Sequence, residues 1–131
     1  MKSPEKFKRF VQNTLGCQCP AEVFDKIELK SPINENRTQF TRITVGERLL
    51  IYIWEPGVDD ADFFRSKFLE MLAAGKNERD RRGLNRFRAV IAADNLKRAW
   101  GMAHEVFNDF AKSDEKLHFH VVSVLEIRAF Q

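Results

Sequence analysis

The chain has 131 residues, 44% of them hydrophobic and 31% charged, with a formal net charge of +3. That length and apolar content fit one domain spanning 1–131 around a single substantial core. No apolar run approaches a membrane span, and the first residues lack the charged-then-apolar order of a secretory signal, so the expected location is cytoplasmic, with no membrane partner.

Only two cysteines are present, which is not the framework of a small secreted protein and agrees with a reducing compartment. Twelve phenylalanines against one tyrosine point to a phenyl-rich core.

Ser3-Pro4 is a helix-start signal, and Phe7, Phe10, Val11 and Leu15 recur near the helical period behind it. Gly16 suits the left-handed residue that closes such a helix. Cys19-Pro20-Ala21-Glu22 then reads as a second helix start, which places Cys17 and Cys19 on a junction between helices. Cys19 is expected at a positive helix end, where unpaired N–H groups favour a thiolate, making it the more activated of the two. A Cys-x-Cys pair can ligate a metal, cycle through a disulfide or simply pack, since cysteine is also a small apolar filler.

A short strand through Ile27 and Leu29 follows, with Glu28 and Lys30 as ordinary charge alternation on an edge strand. Residues 31–38, with Pro32, Asn34 and Asn36, read as the first true loop. Residues 39–45 and 48–54 read as a hairpin turned by Gly46-Glu47. Its second strand, Leu49-Leu50-Ile51-Tyr52-Ile53-Trp54, is apolar on both faces, so it belongs in mid-sheet or at an interface, and a homodimer is a candidate partner arrangement.

Pro56-Gly57 ends that strand, and Asp59 or Asp60 can cap the next helix. The helix presents Phe64, Phe68, Met71 and Leu72, with Phe63 beside them and Gly75 as its expected stop. In segment 76–88, six basic residues stand against two acidic ones, and the rest of the chain is nearly neutral. Within it Arg79, Arg81, Arg82 and Arg86 are candidate anion ligands for a phosphate-bearing partner, a nucleotide or a nucleic acid. Glu78 and Asp80 weaken that reading if they pair with neighbouring arginines on a solvated loop.

Residues 87–93 form a compact apolar strand, and Asp94 at its carboxyl end either faces a ligand or caps the following helix. That helix is expected to turn Leu96, Ala99, Trp100, Ala103, Phe107 and Phe110 inward, with Trp100 largely shielded. Residues 117–130 read as one long final strand, parallel to 87–93 through a crossover. Alternation sends His118 and His120 to one face. If the Cys loop lies over that face, Cys17, Cys19, His118 and His120 make a Cys2His2 set suited to zinc; otherwise the imidazoles face solvent.

No Walker-type loop, dinucleotide fingerprint, nucleophile elbow or H-E-x-x-H is present. The expected fold is a single-domain mixed β-sheet of α/β or α+β class, an antiparallel hairpin plus a parallel βαβ unit with helices packed in two or three layers. The leading functional expectation is a small C-x-C thiol site for metal binding or redox sensing. Phosphate, nucleotide or nucleic-acid binding through 76–88, or non-catalytic assembly as a dimer, are the alternatives.

Overall fold

The computed structural model describes every residue except Asn36, Arg37, Val58, Asp59 and Ser113, with backbone alone described over 31–35 and at Thr38. Five strands, β1 (Ile27–Glu35), β2 (Thr38–Val45), β3 (Leu49–Trp54), β4 (Arg86–Ala93) and β5 (Leu117–Ser123), lie in the sheet in sequence order. β1, β2 and β3 pair antiparallel, whereas β3, β4 and β5 pair parallel. The parallel pairs require crossovers, and α2 (Ala61–Arg82) and α3 (Leu96–Ala111) supply them. The fold is thus mixed α+β.

Strand alternation divides the core in two. One face presents Leu50, Tyr52, Trp54, Phe87, Ala89 and Ile91 to Phe64, Phe68, Met71 and Leu72 of α2 and to Ala99 and Ala103 of α3. The other face presents Ile43, Ile51, Ile53, Val90 and Ala92 to the terminal segments. These are α1 (Pro4–Arg9), a π-helical turn at Phe10–Thr14, a 3-10 turn at Ala21–Asp25 and α4 (Val124–Arg128). Phe7, Phe10 and Phe130 form an aromatic contact joining the two termini, with ring centroids 5.0–5.1 Å from Phe130. Every residue of β3 is buried by the chain's own layers, which removes the reason to place that strand at a dimer interface.

Local signals set several boundaries as expected. The Ser3 hydroxyl accepts from Lys6 N–H, and the Asp60 carboxylate accepts from the Asp62 and Phe63 N–H groups. Asp59, the alternative cap, lies outside the described residues. Gly46 and Glu47 turn the β2–β3 hairpin with φ of 60° and 56°, the pair of positive values that a type I′ turn needs.

Five expectations are corrected. Residues 31–35 continue β1 rather than forming a loop; the register shifts between Lys30 and Ile33, and an edge strand tolerates a proline that cannot donate. Helix α2 passes through Gly75 and ends at Gly83, whose φ of 68° permits bonds from Gly83 N–H to Asp80 and from Leu84 N–H to Arg79. Gly75 is instead a contact point, since a Cβ there would lie 2.1 Å from the Phe87 ring.

Asn95, not Asp94, caps α3, accepting from Arg98 N–H. The 117–130 strand stops at Ser123, which caps α4 by accepting from Leu125 N–H, and Ser123-x-x-Glu126 has the capping-box spacing that marks such a start. Trp100 is 49% exposed, stacked on His104 at 4.4 Å, because small Ala99 and Ala103 make the close contact with the sheet. Leu96 is likewise exposed.

Candidate functional site

Cys17 and Cys19 are joined as a disulfide with Cα atoms 5.3 Å apart. Gly16, with φ of 69°, turns the chain out of the first helix, and Cys17 N–H returns to the Val11 carbonyl at 3.1 Å. Cys17 therefore packs with the terminal apolar layer, whereas Cys19 is half-buried. The second helix start is corrected: the segment after Pro20 is a five-residue 3-10 turn without a side-chain cap.

The Cys loop forms one wall of a cavity of about 360 Å³ whose other residues include Arg48, Asn85, Arg86 and Arg88. Backbone bonds from Asn85 N–H (2.8 Å) and Arg86 N–H (3.2 Å) to the Arg48 carbonyl hold the starts of β3 and β4 together at this point.

Arg86 and Arg88 project from β4 on the face that carries Val90 and Ala92, and His118 and His120 lie beside them on β5. Arg86 Nη1 is 3.1 Å from His118 Nε2 and Arg88 Nη1 is 2.9 Å from His120 Nε2. A guanidinium has no lone pair to offer, so each Nε2 is the acceptor and each imidazole is neutral with its proton on Nδ1. Burial first, then the Arg88 charge, pushes His120 down to about 4. His118 is shifted in the same direction, chiefly by burial and then by Arg88 and Arg86.

The expected Cys2His2 set is not assembled. The two sulfurs face one another, the two imidazoles face arginines, and among the described residues no group of three or more His, Cys, Asp or Glu is arranged to hold a metal ion. Cationic guanidiniums occupy the imidazole acceptor positions that zinc would use. His104 pairs with Asn108 and Trp100 on the exposed side of α3.

The Arg-rich segment is not a loop but the last turns of α2 followed by β4. Arg79 is buried and held by Asp114 (2.9 and 3.3 Å) and by Asp80 (2.9 and 3.1 Å), which keep its guanidinium firmly protonated. Arg82 bonds Glu78 at 2.6 Å and Thr44 at 3.2 Å. Glu78, 1% exposed, also accepts from Tyr52 Oη at 2.5 Å and Arg42 at 3.1 Å. Burial alone would raise the Glu78 carboxyl, but the Tyr52 hydroxyl and the two arginines hold it below the usual range. Burial, then the Glu78 bond, pushes the Tyr52 phenol up. Arg81 is exposed, and of the four anion candidates only Arg86 lines the Cys cavity.

Asp94 lines a separate cavity of about 320 Å³ with Glu55, Asn95 and Arg98 beyond the carboxyl ends of β3 and β4. Arg88 and Arg48 line the cavity without having stood among the anion candidates expected from the sequence. The signal for Arg88 is an arginine inside an otherwise apolar strand, between Phe87 and Ala89.

No family model, curated protein or solved structure matches this chain. Among the described residues no helix is long and apolar enough to cross a membrane.

Proposed function

We propose that Cys17 and Cys19 form a redox-responsive pair cycling between dithiol and disulfide. The observation that supports it best is the placement of the two sulfurs side by side in the wall of a cavity, with Cys19 the more accessible. In oxidation by a low-molecular-weight disulfide, the Cys19 thiolate attacks one oxidant sulfur, forming a mixed disulfide and expelling one small thiolate. The Cys17 thiolate then attacks Cys19 Sγ, forming the Cys17–Cys19 bond and expelling the second small thiolate. Two electrons pass to the oxidant, and the two protons released by the cysteines are taken up by the departing thiolates or by buffer. Cys17 packs with the terminal layer and its N–H bonds the Val11 carbonyl, so the element in contact with the pair is the Phe10–Thr14 turn.

The test is equilibration of the full chain in buffers of graded reduced and oxidised glutathione, acid quenching and intact mass measurement. The expected result is a reversible loss of two hydrogens with a single midpoint. In Cys17→Ser, glutathione should remain trapped on Cys19. Thiols that neither pair nor react until denaturant is added would overturn the reading in favour of simple packing.

A further inference from the structure

Arg88 is a buried cation whose charge no acid among the described residues answers. It is 8% exposed, its Nη1 donates to the Leu15 carbonyl at 2.9 Å and to His120, and its buried Nε meets no acceptor. Among the described residues no carboxylate lies in ion-pair contact with Arg48, Arg86 or Arg88, whereas Arg42 and Arg82 each have one and Arg79 has two. A desolvated guanidinium without counter-charge is unfavourable unless something else supplies the negative charge. Its protonated form is accordingly disfavoured, first by burial and then by Arg86.

The two histidines are informative here. A carboxylate beside each guanidinium would orient it and cancel its charge together. A neutral imidazole accepting through Nε2 orients it and leaves the charge intact. His118 and His120 thus hold Arg86 and Arg88 in place as standing positive groups. The cavity against them is lined by three arginines and Asn85 and, among its described lining residues, by no acid. Its volume of about 360 Å³ is that of a small-molecule site.

We propose that this cavity binds a small anion bearing a carboxylate or phosphate group, with Arg88 as its buried charge and Arg86 and Arg48 as its outer ones. Planar guanidiniums match the paired oxygens of both groups. The proposal does not rest on the redox reading, because it uses the arginines and not the state of the sulfurs.

The test is titration of the 15N-labelled full chain with inorganic phosphate and, separately, with succinate at constant ionic strength, with a short single-stranded DNA as a third arm. One-to-one saturable shifts of the Gly16, Asn85 and Arg86 amides by phosphate or succinate support the site, and the tighter of the two identifies the ligand chemistry. Arg88→Gln should weaken binding by about tenfold or more, since a charge-assisted bond is lost. Arg48→Gln, at an exposed position, should weaken it several-fold, and it decides the question alone if Arg88→Gln does not fold. Arg81→Gln, outside the cavity, should leave it unchanged. Saturation by neither anion, DNA binding that Arg88→Gln leaves intact, or equal losses in Arg81→Gln and Arg48→Gln would each overturn the proposal.

Discussion

Two glycines on helices of this protein should respond to alanine with opposite signs. Gly101 lies in α3 with nothing within 4 Å of a built Cβ, so Gly101→Ala changes only helix propensity. That substitution should stabilise by about 0.8–1.0 kcal/mol, a few degrees in Tm for a domain of this size. Gly75 lies in α2, where the same Cβ would meet three Phe87 ring carbons at 2.1–2.4 Å. Phe87 has no exposure and packs against the Tyr52 ring with centroids 5.0 Å apart, so it cannot swing aside without disturbing a second buried aromatic. Overpacking of that kind costs about 1–3 kcal/mol and outweighs the gain of about 1 kcal/mol from propensity. Gly75→Ala should therefore be destabilised and Gly101→Ala stabilised, read side by side by urea and thermal unfolding. A Gly75→Ala protein as stable as the parent would refute the close packing of α2 on β4.

Glu78→Ala leaves Arg42, Arg82 and Tyr52 without their shared partner and should cost about 3–5 kcal/mol by urea unfolding, more than a surface ion pair would. Its folded carboxyl lies below the ordinary value of 4.5, so its contribution is complete above that pH and disappears as pH falls through the folded value, a loss that Glu78→Gln should remove. His120, with a folded value of about 4 against 6.5, acts at milder pH: its contribution is complete above 6.5 and is lost between there and about 4, by up to about 3 kcal/mol. A His120→Gln protein should show a flatter stability profile across that window. Trp54 is buried and Trp100 half-exposed, so Trp54→Phe should leave red-shifted emission and Trp100→Phe blue-shifted emission. Trp100→Ala should cost about 1 kcal/mol or less, short of the 3–5 kcal/mol of a core tryptophan.

What could be read from the sequence was what short-range chemistry decides. Ser3-Pro4, Asp60 and the turn at Gly46 satisfy backbone groups within a few residues, and the Phe64, Phe68, Met71, Leu72 stripe repeats at the helical period, so each carries its own instruction. The all-apolar run of β3 likewise implied a central strand and, with the crossovers, a mixed sheet. Even some missed boundaries were written locally, as in Ser123-x-x-Glu126 and the glycine at 83.

Charge was another matter. From sequence, Arg79, Arg82, Arg86 and Arg88 are four members of one basic segment. Acids inside the segment, Asp80 beside Arg79 and Glu78 one turn before Arg82, neutralise the first two, with Asp114, 35 residues away, as a second carboxylate on Arg79. The last two meet imidazoles 32 residues on, which orient them without neutralising them. Only the register of β4 against β5, and the fold of the Cys loop over the same face, place a disulfide beside arginines that no acid among the described residues pairs. A side chain's electrostatic role depends on which groups share its low-dielectric surroundings, and for Arg86 and Arg88 those groups come from distant segments brought together by the tertiary structure.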